Sequence, residues 1–528
     1  MSNKNKISRR DFIKSAAVGA AAVAGVGVLS ATPVRAQTST EWWLPAKWDY
    51  EVDVVVVGFG GAGAATAITA NDKGAKVLVL EKAPEVEAGG NTSVCGGEAY
   101  SHQNIQSAIQ YLTALCGQFP LDKDFIEVWA NKLADNGNWM TNVLECKTTT
   151  WRPWEEFPEL PGSKDSGAWI VGVKPDSGWG HNLWDLYKAA VTKRNIEVWY
   201  ESPGKHLVQN PQTKEILGVI AEKVGKTTYI KARKGVVLTC GGFQNNPKMI
   251  QDYLHIPMGY PKGTPQATGD GIVMGQEVGA DLWHMDNVAG PDFNLKVPEL
   301  RMSFGYSLGG FLGKSCITVG ADGTRFWNET EASRHGKIQQ SGTWIPTPMP
   351  LPVHAIFDSV AMKAGPIYPG GGTMSWWTVK NVYKWSADNS AELAKGWIVQ
   401  ADTLTDLAAK IKKDPKMLEA TVKKYNDFCA AGADPQFNRP KANLLPISTG
   451  PFYAMELSCT FTNTQGGPRR NKEARILDLQ GKPIPRLYSS GELGAIYPHC
   501  YNGGGNIGEA MAFGRIAGDN VAAEKPWG

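Results

Sequence analysis

The chain has 528 residues, of which 42% are apolar, 20% are charged and 59 are glycine. A chain of this length and composition can bury several layers of core, which excludes a disordered, collagen-like or small disulfide-bonded protein. The formal net charge is +3, but residues 1–36 hold six basic residues and one acidic residue, so the remainder has 48 basic and 50 acidic residues. This balance disfavours nucleic-acid binding.

The first residues have the features of an export leader. Arg9 and Arg10 precede an apolar run from Ala16 to Leu29, and the small residue Ala36 ends the segment. This order is typical of a twin-arginine signal, and the run is too short and too rich in glycine and alanine for a membrane anchor. We predict a cleaved signal over residues 1–36, a periplasmic or exported location and no stable membrane insertion of the mature chain. The twin-arginine resemblance also implies transport in the folded state, often with a cofactor already bound.

Eight cysteines are scattered along the chain, and none forms a Cys-x-x-Cys or Cys-x-x-Cys-His motif. Built-in haem and iron–sulfur clusters are therefore not expected, and we predict no metal site. The spacing is typical of buried thiols, although an oxidising periplasm would permit one or two disulfides.

A nucleotide-binding unit follows the leader. The apolar run 52–57 predicts a buried parallel strand, the glycine-rich segment 58–63 a tight turn, residues 64–72 a helix and residues 76–80 a second strand. Glu81 ends the unit, about twenty residues after the glycines. Strand, glycines, helix, strand and acid in this order predict a dinucleotide site.

Each of these positions has a physical reason. Gly58 permits the tight turn, Gly60 lets the backbone approach a pyrophosphate, and Gly63 lets the helix and strand pack closely. The helix N-terminus would face the phosphates. Glu81 is placed to accept the ribose hydroxyls of an adenosine.

Six blocks, in order along the chain, resemble the FAD-binding fumarate reductase and 3-ketosteroid dehydrogenase flavoprotein superfamily. The blocks are Glu81-Lys82, residues 89–97, residues 234–243, residues 268–271, residues 487–492 and residues 502–518. The resemblance covers nearly the whole mature chain and implies FAD as the cofactor. The cofactor-binding residues predicted from motif and resemblance are Gly58, Gly60, Ala62, Gly63, Glu81, Lys82, Gly90, Asn91, Thr92, Gly96, Gly97, Gly241, Gly242, Asp270, Glu492, Asn506 and Ile507.

The same resemblance implies an α/β fold, with a Rossmann-like FAD-binding domain interrupted by an α+β capping domain. We place the FAD-binding domain at 48–289 and 463–525 and the capping domain at 290–462. Residues from about 104 to 146 are predicted to be helical, with Asp122 as a plausible cap. A helix is also expected from about Ile507, whose N-terminus would point at the flavin and stabilise its reduced, anionic form.

In reductases of this superfamily, hydride passes from flavin N5 to one carbon of a polarised C=C, and a clamp arginine protonates the other. Arg334 aligns with that arginine. An arginine is a poor acid in water, so this role needs a dry site and a carboxylate that reprotonates it. Glu329 and Glu331 are the nearby carboxylates; the alternative is that Arg334 forms only an ion pair.

The substrate-binding positions differ from those of fumarate reductases. Asn463 replaces their histidine before Thr-x-Gly-Gly, Asn502 replaces their substrate arginine, and no His-Pro-Thr follows Met285. Two buried carboxylates would lack bidentate partners, so fumarate is not the expected substrate. Tyr501 and Gly505 instead have the spacing by which ketosteroid dehydrogenases hold a carbonyl oxygen between a hydroxyl and a backbone N–H. The alternative is a tyrosine that only packs on this loop.

The sequence thus predicts an exported FAD-dependent reductase of an enone, an acrylate or a similar activated alkene, with Arg334, Tyr501 and Gly505 as catalytic residues. A separate carrier, such as a cytochrome or quinol-linked protein, would supply electrons. One alternative is a 3-oxosteroid-type dehydrogenase, whose base would be Tyr306 or Tyr453. The other is a flavin electron-transfer subunit without its own substrate.

Overall fold

The computed structural model describes residues 44–171, 179–297, 302–304, 315–331, 334–367 and 385–528. The predicted leader and Tyr306 lie outside them. The strands are β1 Tyr50–Val57, β2 Val77–Leu80, β3 Glu98–His102, β4 Thr149–Pro153, β5 Ser166–Val171, β6 Glu197–Trp199, β7 Gly204–Gln209, β8 Ile216–Lys223, β9 Lys226–Leu238, β10 Leu282–Trp283, β11 Asp292–Val297, β12 Met302–Phe304, β13 Cys316–Val319, β14 Lys337–Gln340, β15 Thr343–Pro346, β16 Val353–Asp358, β17 Val399–Ala401, β18 Phe452–Thr460, β19 Gly467–Pro468, β20 Arg475–Leu477 and β21 Pro483–Ser489. The α-helices are α1 Gly61–Asp72, α2 Ile105–Cys116, α3 Lys123–Ala134, α4 Asn136–Asn142, α5 Trp179–Lys193, α6 Pro247–Leu254, α7 Asp270–Glu277, α8 Ser359–Lys363, α9 Ser390–Ala394, α10 Leu404–Lys410, α11 Pro415–Ala431 and α12 Gly505–Ala523.

The largest sheet runs in the order β20-β21-β9-β1-β2-β6, with β8 and β7 added beyond β9. Its central strand β1 pairs in parallel with β2 and β9. The apolar run 52–57 is buried throughout, as expected for a strand covered on both faces. The predicted strand, helix and second strand of the nucleotide-binding unit therefore lie in β1, α1 and β2.

Helices α1 and α12 cross in close contact against this sheet. A Cβ atom on Gly514 would lie 2.7 Å from the Cβ of Ala65, and one on Gly518 would lie 2.7 Å from the Cβ of Thr69. Real Cβ atoms do not approach so closely, so the absence of side chains at these two glycines permits the crossing. The contact places the N-termini of both helices at the same end of the sheet.

A second, antiparallel sheet has the order β12-β11-β18-β16-β13, with β17 paired to β18. All its strands lie within the predicted interruption at 290–462; the boundaries themselves stay a prediction. Helix α11 lies in the same region, and Asp414 caps it by accepting a hydrogen bond from the Met417 amide at 2.9 Å.

The segment predicted to be helical at about 104–146 forms the three helices α2, α3 and α4. Ile126, Trp129 and Leu133 of α3 are buried, as their spacing predicts, whereas the Asp122 side chain makes no capping hydrogen bond. Cys95, Cys116, Cys146, Cys240, Cys429, Cys459 and Cys500 are free thiols. In the described part of the chain, no helix has the length and apolarity needed to cross a membrane.

A buried charge network fixes the turn after β13 to the loop that follows α11. Arg325 donates to Glu329 Oε1 at 2.9 Å and Oε2 at 2.7 Å, and to Asp434 Oδ2 at 3.0 Å. Arg439 donates to Glu329 at 3.4 Å. The four side chains are almost fully buried, so loss of one charge leaves another without compensation.

We predict that Glu329→Gln lowers the free energy of unfolding by about 3 to 5 kcal/mol, because Arg325 and Arg439 lose a buried counter-charge. Guanidinium denaturation of the FAD-loaded protein measures the change. The matched control is Asp427→Asn, which removes an ion pair to Lys423 between side chains that are 62% and 77% exposed. It should change stability by less than about 0.5 kcal/mol, and equal effects of the two variants would contradict this role of the network.

Candidate active site

The glycine-rich turn after β1 leaves no space for side chains at two positions. Gly58 has φ +104°, and a Cβ on Gly63 would lie 2.0 Å from the carbonyl oxygen of Gly58. Gly60 adopts an extended conformation and forms the N-cap of α1. The turn therefore brings bare backbone and a helix N-terminus to the edge of the sheet.

Glu81 lies directly after β2, beside this turn. Its Oε2 accepts a hydrogen bond from the Phe59 amide at 2.9 Å, and its Oε1 accepts one from the Ala83 amide at 2.8 Å. These two bonds fix the buried carboxylate against the glycine turn and leave each oxygen a lone pair for a hydroxyl donor.

A cavity that is open to solvent lies at this edge of the sheet. It is formed by the glycine turn, the ends of β2 and β9, the loop before α7 and the first turn of α12. The predicted cofactor-binding residues that line it are Gly58, Gly60, Ala62, Glu81, Lys82, Gly90, Asn91, Thr92, Gly241, Asp270, Glu492, Asn506 and Ile507.

Four other predicted residues lie behind this lining. Gly63 packs on Gly58, a Cβ on Gly96 would lie 2.7 Å from Glu98 Oε2, and a Cβ on Gly242 would lie 2.1 Å from Thr464 Oγ1. Gly97 donates its amide to Cys95 Sγ. These glycines permit close packing beneath the cavity.

Several lining residues follow no motif that sequence analysis could recognise. Pro203 and Gly204 begin β7, Thr264 and Gln266 come from the loop between α6 and α7, and Ser490 follows β21. Ser490 is the exception, because it lies within a recognised block, residues 487–492. The others reach the cavity through tertiary folding alone.

The lining contains buried polar atoms that need a ligand. The Asn506 Nδ2 and Oδ1 atoms and the Ser490 hydroxyl have no hydrogen-bond partner among the described residues. Unpaired buried amides and hydroxyls are unfavourable, so the cavity fits a polar ligand that supplies both donors and acceptors. Together with the bare turn and Glu81, this donor set is suited to a dinucleotide.

Two hydrogen-bonded pairs of side chains lie at the cavity, Lys82 with Asp270 and Asn91 with Glu492. Lys82 donates to Asp270 at 2.8 Å and to Thr268 at 2.6 Å. Glu492 accepts from the Asn91 side-chain amide at 2.7 Å, and burial raises the pKa of Glu492 to about 7. A carboxyl group with such a pKa can be protonated near neutral pH and then donate a hydrogen bond.

Tyr501 lies next to the first turn of α12. Its hydroxyl accepts a hydrogen bond from the Asn506 amide at 3.3 Å, and burial raises its pKa. The Gly505 amide, its predicted partner, donates to the carbonyl of Asn502 at 3.0 Å. The Gly505 amide is therefore already used by the turn that leads into α12, whereas the Tyr501 hydroxyl keeps its own hydrogen to donate.

Arg334, like Tyr501, is not among the residues that line the cavity. It forms an ion pair with Glu159, and its guanidinium lies 4.7 Å from the Trp344 ring centroid and 5.4 Å from that of Phe157. Glu329, one predicted relay partner, is committed to Arg325 and Arg439. The oxygens of Glu329 are thus already bonded, whereas Glu331 is exposed and interacts with Arg334; the relay role itself stays a prediction.

The positions that distinguish fumarate reductases hold neutral side chains with local roles. Asn502 is fully buried, accepts from the Tyr111 hydroxyl at 2.8 Å and donates to the carbonyl of Gly503 at 3.0 Å. Asn463 is also buried. Tyr453, the other base considered for a dehydrogenase, stacks on Phe357 within the core of the second sheet.

Comparison with known proteins decides the family. The profile described as "FAD binding domain" matches residues 53–507. The chain belongs to this family. The twin-arginine translocation pathway signal sequence matches residues 6–25, which confirms the export signal. The chain is an FAD-dependent oxidoreductase, and both the predicted cofactor and the predicted superfamily are confirmed.

Relatives in this family act in both redox directions. The chain is 29% identical to digoxin reductase of Eggerthella lenta, over 99% of this chain and 98% of the relative. It is 27% identical to 3-oxosteroid 1-dehydrogenase of Mycolicibacterium smegmatis, over 90% and 97%. The fold is similar to the crystal structure of 3-ketosteroid Δ1-dehydrogenase from Sterolibacterium denitrificans, with TM-score 0.73, 24% identity and coverage of 90% and 99%. The fold is thus the mixed α/β fold of flavoprotein dehydrogenases.

We predict that Gly63→Ala yields protein without bound flavin, because the added Cβ would displace the Gly58 carbonyl and open the turn. The ratio of absorbance near 450 nm to that at 280 nm measures cofactor content. The control is Gly74→Ala, which has φ +84° but no atom within 4 Å of the added Cβ. It should cost about 1 kcal/mol of stability and keep its colour. A yellow Gly63→Ala protein with wild-type flavin content would contradict the packing argument.

Proposed function

We propose that this exported flavoprotein reduces activated C=C bonds of enone or acrylate type, and that fumarate is not its substrate. The observation that carries the proposal is the position of Tyr501. Its buried hydroxyl is bonded to the Asn506 amide, and the Asn506 side chain lines the cavity. A hydrogen-bond donor for a carbonyl oxygen is thereby held at the edge of the cofactor site.

The cavity residues would hold FAD by its polar groups. Glu81 would accept the ribose hydroxyls, and the N-terminus of α1 would bind the pyrophosphate. Asn506 and Ser490 would satisfy their unpaired atoms on the cofactor, with Glu492 and Asn91 beside them. This assignment makes residues 48–289 and 463–525 a Rossmann-like FAD-binding domain and residues 290–462 its capping domain.

When bound and reduced, FAD supplies hydride. The chain's own contribution is to polarise and protonate the alkene. The Tyr501 hydroxyl donates to the substrate carbonyl, which stabilises the enolate that hydride addition produces. A second group must protonate the neighbouring carbon, and the superfamily resemblance assigns that role to Arg334.

The charges around this site favour a neutral or singly charged substrate. Asn463 and Asn502 are buried and neutral, so neither can pair with a second carboxylate. The name of one relative, digoxin reductase, supports reduction as the direction of the reaction. Electrons would come from a separate periplasmic carrier.

The reverse reaction, desaturation of a 3-oxosteroid, is the second candidate because a relative is named for it. That reaction needs a base that removes a proton from carbon. Tyr453 is packed against Phe357 in the core of the second sheet, which disfavours it as this base. We therefore rank reduction first.

We expect an enone or an arylacrylate to reoxidise the chemically reduced flavin at least about tenfold faster than buffer alone, and fumarate to have no such effect. Anaerobic stopped-flow absorbance measures flavin reoxidation. Saturated 3-oxosteroids serve as the matched test of the reverse reaction with oxidised enzyme. If every alkene in a broad panel is inert while a saturated ketone bleaches the flavin, the dehydrogenase is correct and the reductase is not.

A further inference from the structure

His335, the residue after Arg334, is fixed by its backbone. Its φ is +46°, in the left-handed region. The following Gly336 packs so closely on Gly290 that an added Cβ would lie 1.6 Å from the Gly290 carbonyl carbon. The start of the β14–β15 hairpin is therefore held against the segment that leads into β11. With the backbone held in this way, the side chain of Arg334 pairs with Glu159 and that of His335 pairs with Glu156.

Glu156 orients the imidazole of His335. The His335 Nδ1 atom is hydrogen-bonded to Glu156 Oε1, and the His335 side chain is 21% exposed. Because a carboxylate only accepts, the hydrogen of this bond is on Nδ1. Nε2 has no hydrogen-bond partner among the described residues. A histidine whose Nδ1 is bound by a carboxylate and whose Nε2 is unbonded is arranged for proton exchange at Nε2.

The same carboxylate ties the histidine to the loop before α12. Glu156 Oε2 accepts the Gly503 amide at 2.6 Å. The His335 ring lies edge-on to Tyr501, with 5.0 Å between ring centroids. Tyr501 in turn contacts the Asn506 amide at the cavity. His335 is thus adjacent to the residue that would polarise the substrate, whereas Arg334 is bound to Glu159.

Four charged side chains interact with His335, namely Glu156, Asp292, Lys262 and Glu98. Burial lowers its pKa and Lys262 lowers it further, but Glu156 and Asp292 raise it, and the resulting pKa is above the ordinary value. Glu98 of β3 also interacts with His335. Burial raises the pKa of Glu98 to about 7, while Arg152, at 3.0 Å, and His335 lower it.

We propose that His335, oriented by Glu156, delivers the proton that completes alkene reduction. The inference rests on the proposed function and names the acid of that same site. His335 then replaces Arg334 as the proton donor, and Arg334 keeps its ion pair with Glu159. Glu156 is then a positioning residue, since it acts through the imidazole.

The step balances without a further reactant. Hydride from reduced FAD gives two electrons and one hydrogen to the carbon β to the carbonyl. The resulting enolate forms a C–H bond at its α carbon with the proton of His335 Nε2, whose N–H bond breaks and leaves its electron pair on the imidazole. Neutral His335 then takes a proton from water. The net change is addition of two electrons and two protons to the C=C bond.

The experiment compares anaerobic flavin reoxidation by a reactive enone across pH for wild type, His335→Gln, Glu156→Gln and Arg334→Lys. We expect His335→Gln to slow the step about 100-fold or more and to abolish its loss with rising pH. Wild type should lose rate as pH rises through the pKa of His335, since only the imidazolium carries the transferred proton. In Glu156→Gln the pH at which the rate falls should be lower than in wild type by about one pH unit or more.

A second readout does not depend on turnover. In histidine-labelled, FAD-loaded protein, an NMR titration should show one imidazole with a raised pKa that is absent in His335→Gln and lowered in Glu156→Gln. His499→Gln is the matched control, because His499 lies beside Phe119, with 5.5 Å between ring centroids, and has no role in the step. It should leave the rate, the pH profile and the His335 signal unchanged.

The outcomes separate the two proposals. Suppose that alkene reoxidises His335→Gln at the wild-type rate and with the wild-type pH profile, while Arg334→Lys loses about 100-fold in rate. This result overturns the assignment of His335 and keeps the reductase. Wild-type enzyme that reduces no alkene overturns the proposed function and this assignment with it. If His335→Gln does not bind flavin, Glu156→Gln and its NMR titration provide the test. An unchanged pH profile of the rate and an unchanged His335 pKa in Glu156→Gln overturn the proposal.

Discussion

The close contact between α1 and α12 is the constraint on which the site depends. Gly514 and Gly518 let the two helices approach until backbone and Cβ atoms touch, so both helices begin at the same edge of the central sheet. Residues of both first turns then line one cavity. Two positive helix ends therefore lie at one cavity, and in the proposed function one would face the phosphates and the other the reduced flavin ring.

The β14–β15 hairpin, which forms a small sheet of its own, supplies what this cavity lacks. It brings His335 to Tyr501 and Gly503, and Glu156 bonds to both sides of that contact. The chemistry would therefore take place where this hairpin meets the loop before α12, with polarising and proton-bearing groups provided by different parts of the chain. Such a division lets related flavoproteins keep one cofactor site and change the reacting residues.

Sequence alone predicted many of the residues that line the cavity, because they belong to short local motifs. The strand, glycine turn and helix of residues 52–72 follow local backbone rules, and Glu81 follows from its distance to the glycines. Most of the predicted cofactor residues line the cavity. Pro203 and Thr264 do so without any local pattern, since their positions depend on how distant loops meet.

The catalytic side was harder to predict for a definite reason. Alignment with the superfamily indicates Arg334. The side chains of successive residues at the start of a hairpin point in different directions, so an alignment that is off by one residue selects the wrong side chain. Glu156 lies 179 residues before His335 and carries no motif. The amide of Gly505 was expected to bind substrate, yet the first turn of α12 uses it internally.

The cavity is assembled from both ends of the chain, with its lining drawn from Val57 through Ala510. A partly synthesised polypeptide that lacks α12 cannot build such a binding pocket. Cofactor loading must then wait until α12 has been translated. Because the twin-arginine signal directs the chain to a route for folded cargo, flavin insertion on the cytoplasmic side would become the natural checkpoint before export.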